Sequence, residues 1–244
     1  MIRREFCKAL AVASALVESP TLLTAKESKP PSDAAKSDFP KSPGLTKYVA
    51  EFIVNTKYED IPEEVIALGK KTMLDAFGLA VAGSASIPGG NIRKYIASLG
   101  CSSGGASIIG TNIKVPHRFA ALANGISIHA DDYDDTGSGM HVAAPVLPAA
   151  FALCETERRS GKELMLAFHV GVEIENKIAE AISSRHNEEG FHTTGTCGSF
   201  GGAAATAKLH GMNAEQTAIT LGIAASEASG VRVNFGTMTK PFHA

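Results

Sequence analysis

Residues 129–136, His129-Ala-Asp-Asp-Tyr-Asp-Asp-Thr136, form a polar stretch between two apolar segments, residues 120–128 and 142–153. Carboxylates this dense repel one another and are costly to bury without partners. Most acidic runs are solvated loops on a protein surface. The apolar flanks and a second histidine, His141, instead favour a pocket lined by acids and bases, with the rest of the chain folded around it.

The composition indicates a globular protein that is mainly helical. The chain has 244 residues, 44% of them hydrophobic and 20% charged, which is enough to bury one large core or two small ones. Alanine is abundant and runs of β-branched residues are few, so the predicted fold class is all-α. The net charge of -2 gives no indication of a nucleic acid or an anionic membrane as a partner.

The four cysteines are widely spaced and include no C-x-x-C pair, so we expect free thiols and neither a zinc knuckle nor a disulfide scaffold.

Helical signals extend in both directions from the polar stretch. Apolar spacing and capping residues predict helices at residues 45–56, 60–83 and 91–99, and further helices that begin near Pro116, Ser160 and Asn213. The first of the capping residues is Asp60, and residues 84–90 are predicted to form a turn. Ser107-Ile-Ile-Gly-Thr-Asn-Ile-Lys-Val115 predicts one small β-hairpin.

Two helices carry acidic residues that we interpret as structural. Asp75 lies in the apolar half of its helix and is expected to be a buried hydrogen-bonding partner. Glu173 and Glu175 are expected to be solvated or paired. The glycine- and alanine-rich residues 190–208 predict a loop that enters a tightly packed helix. A phosphate-binding loop is the alternative there, but the G-x-x-x-x-G-K-[ST] spacing is absent.

The N-terminal residues are predicted to lie outside the folded domain. Arg3-Arg-Glu-Phe-Cys-Lys8 resembles the twin-arginine export motif, and an apolar stretch too short to span a bilayer follows it. We therefore predict a signal peptide at residues 1–25, a disordered linker at 26–44 and the folded domain at 45–244. This predicts a periplasmic protein with no stable membrane insertion. An ordinary amphipathic helix, and hence a cytoplasmic protein, is the alternative.

Six side chains outside these structural roles could carry chemistry: Asp132, Thr136, His141, His192, Lys240 and His243. Histidine exchanges protons near neutral pH, and lysine supplies a fixed positive charge for a carboxylate. Such a set suits the removal or delivery of a proton at a carbon next to a carboxylate. The G-x-S-x-G, Rossmann and H-E-x-x-H motifs are absent from the sequence.

A metal site is the main alternative for the acidic stretch. Asp132, Asp134, Asp135 and His141 could supply oxygen and imidazole ligands. Their spacing matches neither an EF-hand nor a zinc site, so the metal site is the less favoured interpretation.

Four motifs in this order resemble the MmgE/PrpD family, from about residue 45 to residue 244. They are Asn124-Gly-x-x-x-His129-Ala-x-Asp132-Tyr-Asp-Asp-Thr136, His141 followed by Pro145-Val-Leu-Pro148, Gly190-Phe-His192-x-Thr194-Gly195-Thr, and Thr239-Lys240-Pro-Phe-His243. Members of this family include 2-methylcitrate dehydratase, cis-aconitate decarboxylase and iminodisuccinate epimerase. The resemblance implies an all-helical main domain, a smaller α+β lid domain, an active site between them and a homodimer.

The resemblance also implies a reaction and a set of residues. The function is that of a cofactor-independent lyase acting on a small di- or tricarboxylate, with an epimerase or a non-catalytic helical module as alternatives. His141 matches the histidine that moves the proton. The implied catalytic residues are His141, Asp132 and Lys240. The implied substrate-binding residues are Thr136, His192, Lys240 and His243.

Family members are considerably longer than this chain, and the lid corresponds to sequence beyond Ala244. The resemblance therefore implies that this chain is one part of a larger protein and is weakly active or inactive alone.

Overall fold

Helices make up most of the residues that the computed structural model describes, which are 43–101 and 103–244. The α-helices are α1 (Leu45–Asn55), α2 (Glu63–Ser84), α3 (Ile87–Ser98), α4 (His117–Ile128), α5 (Ala143–Glu157), α6 (Gly161–Ile182), α7 (Arg185–Glu188), α8 (Thr193–Leu209) and α9 (Ala214–Glu227). Short 3-10 helices lie at Tyr58–Asp60, Arg232–Asn234 and Lys240–His243. The predicted all-α class is confirmed.

Two small antiparallel hairpins accompany the helices. Strands β1 (Ala106–Ser107) and β2 (Lys114–Val115) form the hairpin that the sequence predicts. Strands β3 (Thr136–Gly137) and β4 (Met140–His141) form a second hairpin, which was not predicted because strands of two residues leave no periodic signal. Its two turn residues, Ser138 and Gly139, both have positive φ, as the tight turns of hairpins require.

Helix α5 is the centre of the core. It follows the polar stretch and the β3–β4 hairpin, and it packs against α2, α4, α6 and α8. Apolar residues lie buried around most of its circumference: Ala143, Ala144, Val146, Leu147, Pro148, Ala150, Ala152, Leu153 and Cys154. A helix that is apolar on all sides must be enclosed by others, so this helix fixes the position of the polar stretch at its N-terminal end.

Helices α6 and α8 approach each other closely because small residues face each other. A β-carbon at Gly171 of α6 would lie 2.7 Å from the carbonyl oxygen of Gly201 in α8 and 2.6 Å from Val146. These distances leave no room for a side chain. The prediction that residues 190–208 enter a tightly packed helix is confirmed, and α8 begins at Thr193.

Two predicted helix starts differ from the structure. The second helix was predicted to begin at Asp60, but α2 begins at Glu63, and the Asp60 carboxylate accepts a hydrogen bond from the backbone N–H of Lys57 instead. The predicted turn at residues 84–90 is wrong in its second half. Ser86 caps α3 by accepting a hydrogen bond from the backbone N–H of Gly89, so that helix begins at Ile87. The predicted helix starts near Ser160 and Asn213 are confirmed, and each residue forms a capping box.

The side chain of Asp75 is exposed on α2, so the expectation of a buried hydrogen-bonding partner is wrong. Leu68, Leu74 and Val81 of the same helix are exposed as well. In the described residues, no helix combines the length and the apolar character that crossing a lipid bilayer would require.

The predicted signal segment, residues 1–25, and nearly all of the predicted linker, 26–44, lie outside the described residues. After α9, residues 228–244 contain two 3-10 helices, one on each side of Phe235 in the sequence.

Candidate active site

A cavity of about 460 Å³ lies where three segments meet: the β3–β4 hairpin, the N-terminus of α8 and the 3-10 helix at Lys240–His243. It is lined by five of the six residues that the sequence singled out: Asp132, Thr136, His141, His192 and Lys240. The sixth, His243, is not among the lining residues but contacts His192. The fold therefore brings together side chains that are up to 108 positions apart in the sequence.

Asp132 connects the two positively chargeable groups of the cavity. Its Oδ1 accepts a hydrogen bond from Nζ of Lys240 and lies 3.2 Å from Nε2 of His141. Burial alone would raise the pKa of Asp132, but the hydrogen bond and charge of Lys240, together with the two histidines nearby, lower it below its ordinary value. Asp132 has a φ of 61°, a left-handed conformation that aspartate tolerates better than most residues.

Asp134 is buried and contacts two imidazoles, those of His129 and His141. Its carboxylate is 3.0 Å from Nδ1 of His129 and 3.2 Å from Nδ1 of His141, and its side chain is fully buried. Burial raises the pKa of Asp134, but the hydrogen bonds from the two histidines outweigh burial and lower the pKa to about 2. The same contact acts on His141: burial lowers its pKa, and the hydrogen bond and charge of Asp134 raise it above the ordinary value.

His192 and His243 form a second pair of imidazoles. Their Nδ1 atoms are 2.8 Å apart, so only one of the two nitrogens can carry a hydrogen. His192 precedes α8, and its ring stacks on that of His129 with centroids 5.7 Å apart. Burial, followed by His129 and Lys240, lowers the pKa of His192 to about 3, and burial also lowers the pKa of His243. This pair is therefore neutral near pH 7.

Thr136 is paired with His141 across the hairpin. The backbone N–H of His141 donates to Oγ1 of Thr194, at 3.0 Å, which ties the hairpin to the first turn of α8. Thr136 is exposed and lines the cavity. The hairpin thus sets two of the predicted site residues side by side at the cavity wall.

Two further carboxyl groups, which do not line the cavity, have raised pKa values. Burial raises the pKa of Asp135 to about 6, although its Oδ1 accepts a hydrogen bond from the backbone N–H of Ala143. Glu175 is completely buried on α6, and its oxygens have no hydrogen bond partner among the described residues. Burial, with a contribution from Asp135, raises its pKa well above the ordinary value. The expectation that Glu175 is solvated or paired is therefore wrong, because α6 turns this residue toward Gly201 of α8. Glu173 is exposed as expected.

The polar residues also have the donor atoms for a metal ion. One donor atom from each of His129, Asp132, Asp134 and His141 lies within 4.8 Å of the others. The set differs from the one considered from sequence, because His129 takes the place of Asp135. These donors already bind one another, and Nζ of Lys240 contacts Asp132. A metal ion bound through Oδ1 of Asp132 would compete with Nζ of Lys240 for that oxygen.

His129, Asp134, Thr194 and Phe235 contribute to the site but were not among the predicted catalytic or substrate-binding residues, and Asp134 was considered only as a metal ligand. His129 and Asp134 lie inside the motif that carries the resemblance, so the signal was present. Their role depends on which ring nitrogen faces which oxygen, and sequence spacing does not contain that information. The rings of Phe235 and His192 meet edge to face with centroids 4.8 Å apart, and the centroid of the Phe235 ring lies 5.4 Å from Nζ of Lys240.

Comparison with known proteins gives the same family as the motifs. Residues 47–244 match the family described as MmgE/PrpD N-terminal domain. The chain is 31% identical over 206 residues to cis-aconitate decarboxylase of Homo sapiens, covering 82% of this chain and 43% of that protein. It is 33% identical over 208 residues to cis-aconitate decarboxylase of Aspergillus terreus, covering 81% of this chain and 42% of that protein.

The chain thus spans about two fifths of the length of these relatives. The match nevertheless covers both the helices that build the core and every residue that lines the cavity. On this match, the chain belongs to the MmgE/PrpD family.

Proposed function

We propose that this site belongs to a cofactor-independent lyase that acts on a small di- or tricarboxylate, such as cis-aconitate or 2-methylcitrate, by decarboxylation or dehydration. The observation that carries the proposal is the convergence of Asp132, His141, His192 and Lys240 on one cavity. The names of the relatives support a carboxylate substrate.

The cavity has two features that favour an anion. Lys240 is buried, and its ammonium is held in place by contacts with Asp132 and Phe235. The first turn of α8 contributes Thr193 and Thr194 to the cavity wall. Backbone N–H groups in the first turn of a helix have no partner within the helix and favour negative charge. A substrate carboxylate between Lys240 and this turn would be bound by both.

His141 is positioned to deliver a proton. Because Asp134 raises its pKa, the ring holds a hydrogen on Nε2 more readily near neutral pH, and Nε2 is the nitrogen that faces Asp132. In a decarboxylation, the bond from carbon to the leaving carboxylate breaks and its electron pair remains on the substrate. The proton of His141 Nε2 then forms the new C–H bond, and solvent returns a proton to the ring.

The histidine pair would bind the substrate without adding charge. His192 lines the cavity and is neutral, so it contributes a hydrogen bond to a substrate oxygen while His243 fixes its ring. A fixed neutral donor or acceptor costs no reorganisation when charge develops on the substrate.

Turnover of the His141→Ala variant tests the assignment. If His141 moves the proton, the substitution should lower kcat about a hundredfold or more. The matched control is His210→Ala. His210 is half-exposed at the C-terminal end of α8, and its ring contacts Glu157, which is not a residue of the site. The measurement is loss of cis-aconitate or 2-methylcitrate followed by NMR. If the unchanged chain shows measurable turnover and His141→Ala retains all of it, His141 has no part in the mechanism.

Deuterated solvent separates a lyase from an epimerase. A lyase releases carbon dioxide or water, whereas an epimerase incorporates solvent deuterium into an unchanged carbon skeleton. If none of the acids is converted, titration with the same acids tests binding at Lys240 and His192. The absence of both turnover and binding would contradict the proposal and would favour a non-catalytic helical module. Activity that a chelator abolishes and a divalent ion restores would favour the metal alternative.

A further inference from the structure

Asp134 is a buried charge that is not among the residues lining the cavity. Its side chain has no exposed area and lies between the Nδ1 atoms of two imidazoles, His129 at 3.0 Å and His141 at 3.2 Å. A buried carboxylate without partners is costly, so a chain retains one only where several hydrogen bonds satisfy it. Here both partners are rings, and one of those rings faces the cavity.

The hydrogen on the His141 ring can be placed from the atoms around it. Nδ1 of His141 has two oxygens within hydrogen-bonding distance, the carboxylate of Asp134 and the backbone carbonyl of the same residue at 3.0 Å. Both oxygens can only accept, so Nδ1 must donate. Nε2 points to the cavity and to Oδ1 of Asp132, which already accepts a hydrogen bond from Nζ of Lys240. With its single hydrogen on Nδ1, the neutral ring therefore carries its lone pair on Nε2.

His129 fixes the other side of Asp134. Its ring is completely buried, its Nδ1 lies within 3.2 Å of both carboxylate oxygens, and it packs against the rings of His141 and His192. Nε2 of His129 has no hydrogen bond partner in the described part of the chain. A ring whose hydrogen lies on Nδ1 leaves only a lone pair unpaired there, which is consistent with donation to Asp134.

We propose that Asp134 is a positioning residue for His141, holding its hydrogen on Nδ1 so that Nε2 exchanges the proton with substrate, and that His129 anchors Asp134 for this purpose. The proposal deepens the proposed function and rests on it for the role of Nε2. The tautomer itself is a property of the free chain, so it can be tested without turnover.

The test is ¹⁵N NMR of the histidine side chains, recorded on the whole chain at a pH where His141 is neutral. The two ring nitrogens of each tautomer have separate chemical shifts, and loss of a signal in His141→Gln assigns that ring. We expect the hydrogen of His141 on Nδ1. A hydrogen on Nε2 in the unchanged chain would overturn the proposal, and this measurement needs no substituted Asp134.

Three variants then assign the cause. Asp134→Asn keeps the shape of the side chain but removes an acceptor, and it should shift His141 toward the Nε2–H form. His129→Asn places an amide N–H near the position of Nδ1 and should leave His141 unchanged, whereas His129→Leu should act like Asp134→Asn. A merely structural role would alter stability but not the tautomer.

The possible results separate the two levels of the proposal. If His141 keeps its hydrogen on Nδ1 in Asp134→Asn, the backbone carbonyl is sufficient and the role of Asp134 is overturned. If Asp134→Asn shifts the tautomer but His129→Leu leaves it unchanged, the role of His129 is overturned. Where turnover is measurable, Asp134→Asn should lower kcat at least tenfold with little change in KM, and His129→Asn should not. A correct tautomer without any turnover would contradict the proposed function alone.

Discussion

The charge of Lys240 is held in the cavity by one carboxylate, that of Asp132. A charge-assisted hydrogen bond to a bound carboxylate contributes about 1.5–3 kcal/mol. We therefore expect Lys240→Met to weaken binding of a dicarboxylate about tenfold or more, as measured by calorimetric titration. Lys177→Met is the matched control, because that lysine is exposed and pairs with Glu180. Equal affinities of the two variants would show that Lys240 does not contact substrate.

Glu175 makes the stability of the chain depend on pH in a defined direction. Its pKa in the folded chain is raised, first by burial and then by Asp135, above the ordinary value of 4.5. The unfolded chain therefore releases this proton at a lower pH than the folded chain does. The stability that Glu175 contributes is fully present below about pH 4.5, and this contribution is lost as the pH rises through the pKa of Glu175 in the folded chain.

Glu175→Gln removes this dependence while keeping the shape of the side chain. Relative to the unchanged chain, its free energy of unfolding should rise as the pH increases from about 5 to about 8, as measured by urea denaturation at several pH values. Glu173→Gln, on the same helix but exposed, should show no such trend. Parallel pH profiles of Glu175→Gln and the unchanged chain would contradict the raised pKa.

Single residues also show where sequence reasoning stops. Asp132, His141 and Lys240 could be named because motif positions identify them one at a time. The partners of Asp134 could not be named, because a hydrogen on one ring nitrogen depends on distances near 3 Å between segments. The buried position of Glu175 was missed for a related reason: acids are almost never fully buried, and the pattern of α6 does not mark this exception.

At the scale of helices, we expect opposite effects from two glycine-to-alanine changes, one at the contact between α6 and α8 and the other on α9. Gly171→Ala places a carbon 2.6 Å from Val146 and 2.7 Å from the carbonyl oxygen of Gly201, so we expect a loss of about 1–3 kcal/mol. Gly222→Ala in α9 meets no atom within 4 Å and should stabilise the chain by about 0.5–1 kcal/mol. Thermal denaturation of both variants checks the pair. A tolerated Gly171→Ala would mean that the two helices are further apart.

Helix boundaries were predictable where a side chain caps the helix and less so elsewhere. The capping boxes at Ser160 and Asn213 mark two starts because each supplies a reciprocal pair of hydrogen bonds. Asp60 looks like a cap in sequence, yet a 3-10 helix at Tyr58–Asp60 uses its carboxylate first. The β3–β4 hairpin has only its turn, Ser138–Gly139, as a signal, and that pair is also common in loops.

At the scale of the whole molecule, the resemblance implies a homodimer, and we retain this as a proposal. Large apolar side chains on α2, namely Leu68, Leu74 and Val81, are exposed in the single chain, and apolar surface of this kind is enriched where subunits meet. Light scattering after size-exclusion chromatography should give twice the mass of the chain, which is 25.4 kDa. A single-chain mass that persists at high concentration would contradict the proposal.

The predicted export signal lies outside the described residues, and periplasmic location stays a prediction. It depends on the Arg3-Arg4 pair, so replacing both by lysine should keep the protein in the cytoplasm during cell fractionation. Equal distribution of both forms would contradict it.

Lys240, His243 and Phe235 all belong to residues 228–244, the segment with no α-helix. Many of its side chains face solvent, with Val233 exposed to 83% and Phe235 to 43%, and it is tied to the α8 end by backbone hydrogen bonds at Gly190 and Gly230. Segments with few buried contacts open at a lower free energy than the core does. Warming should therefore detach residues 228–244 and abolish the proposed reaction at temperatures where circular dichroism still records intact helices.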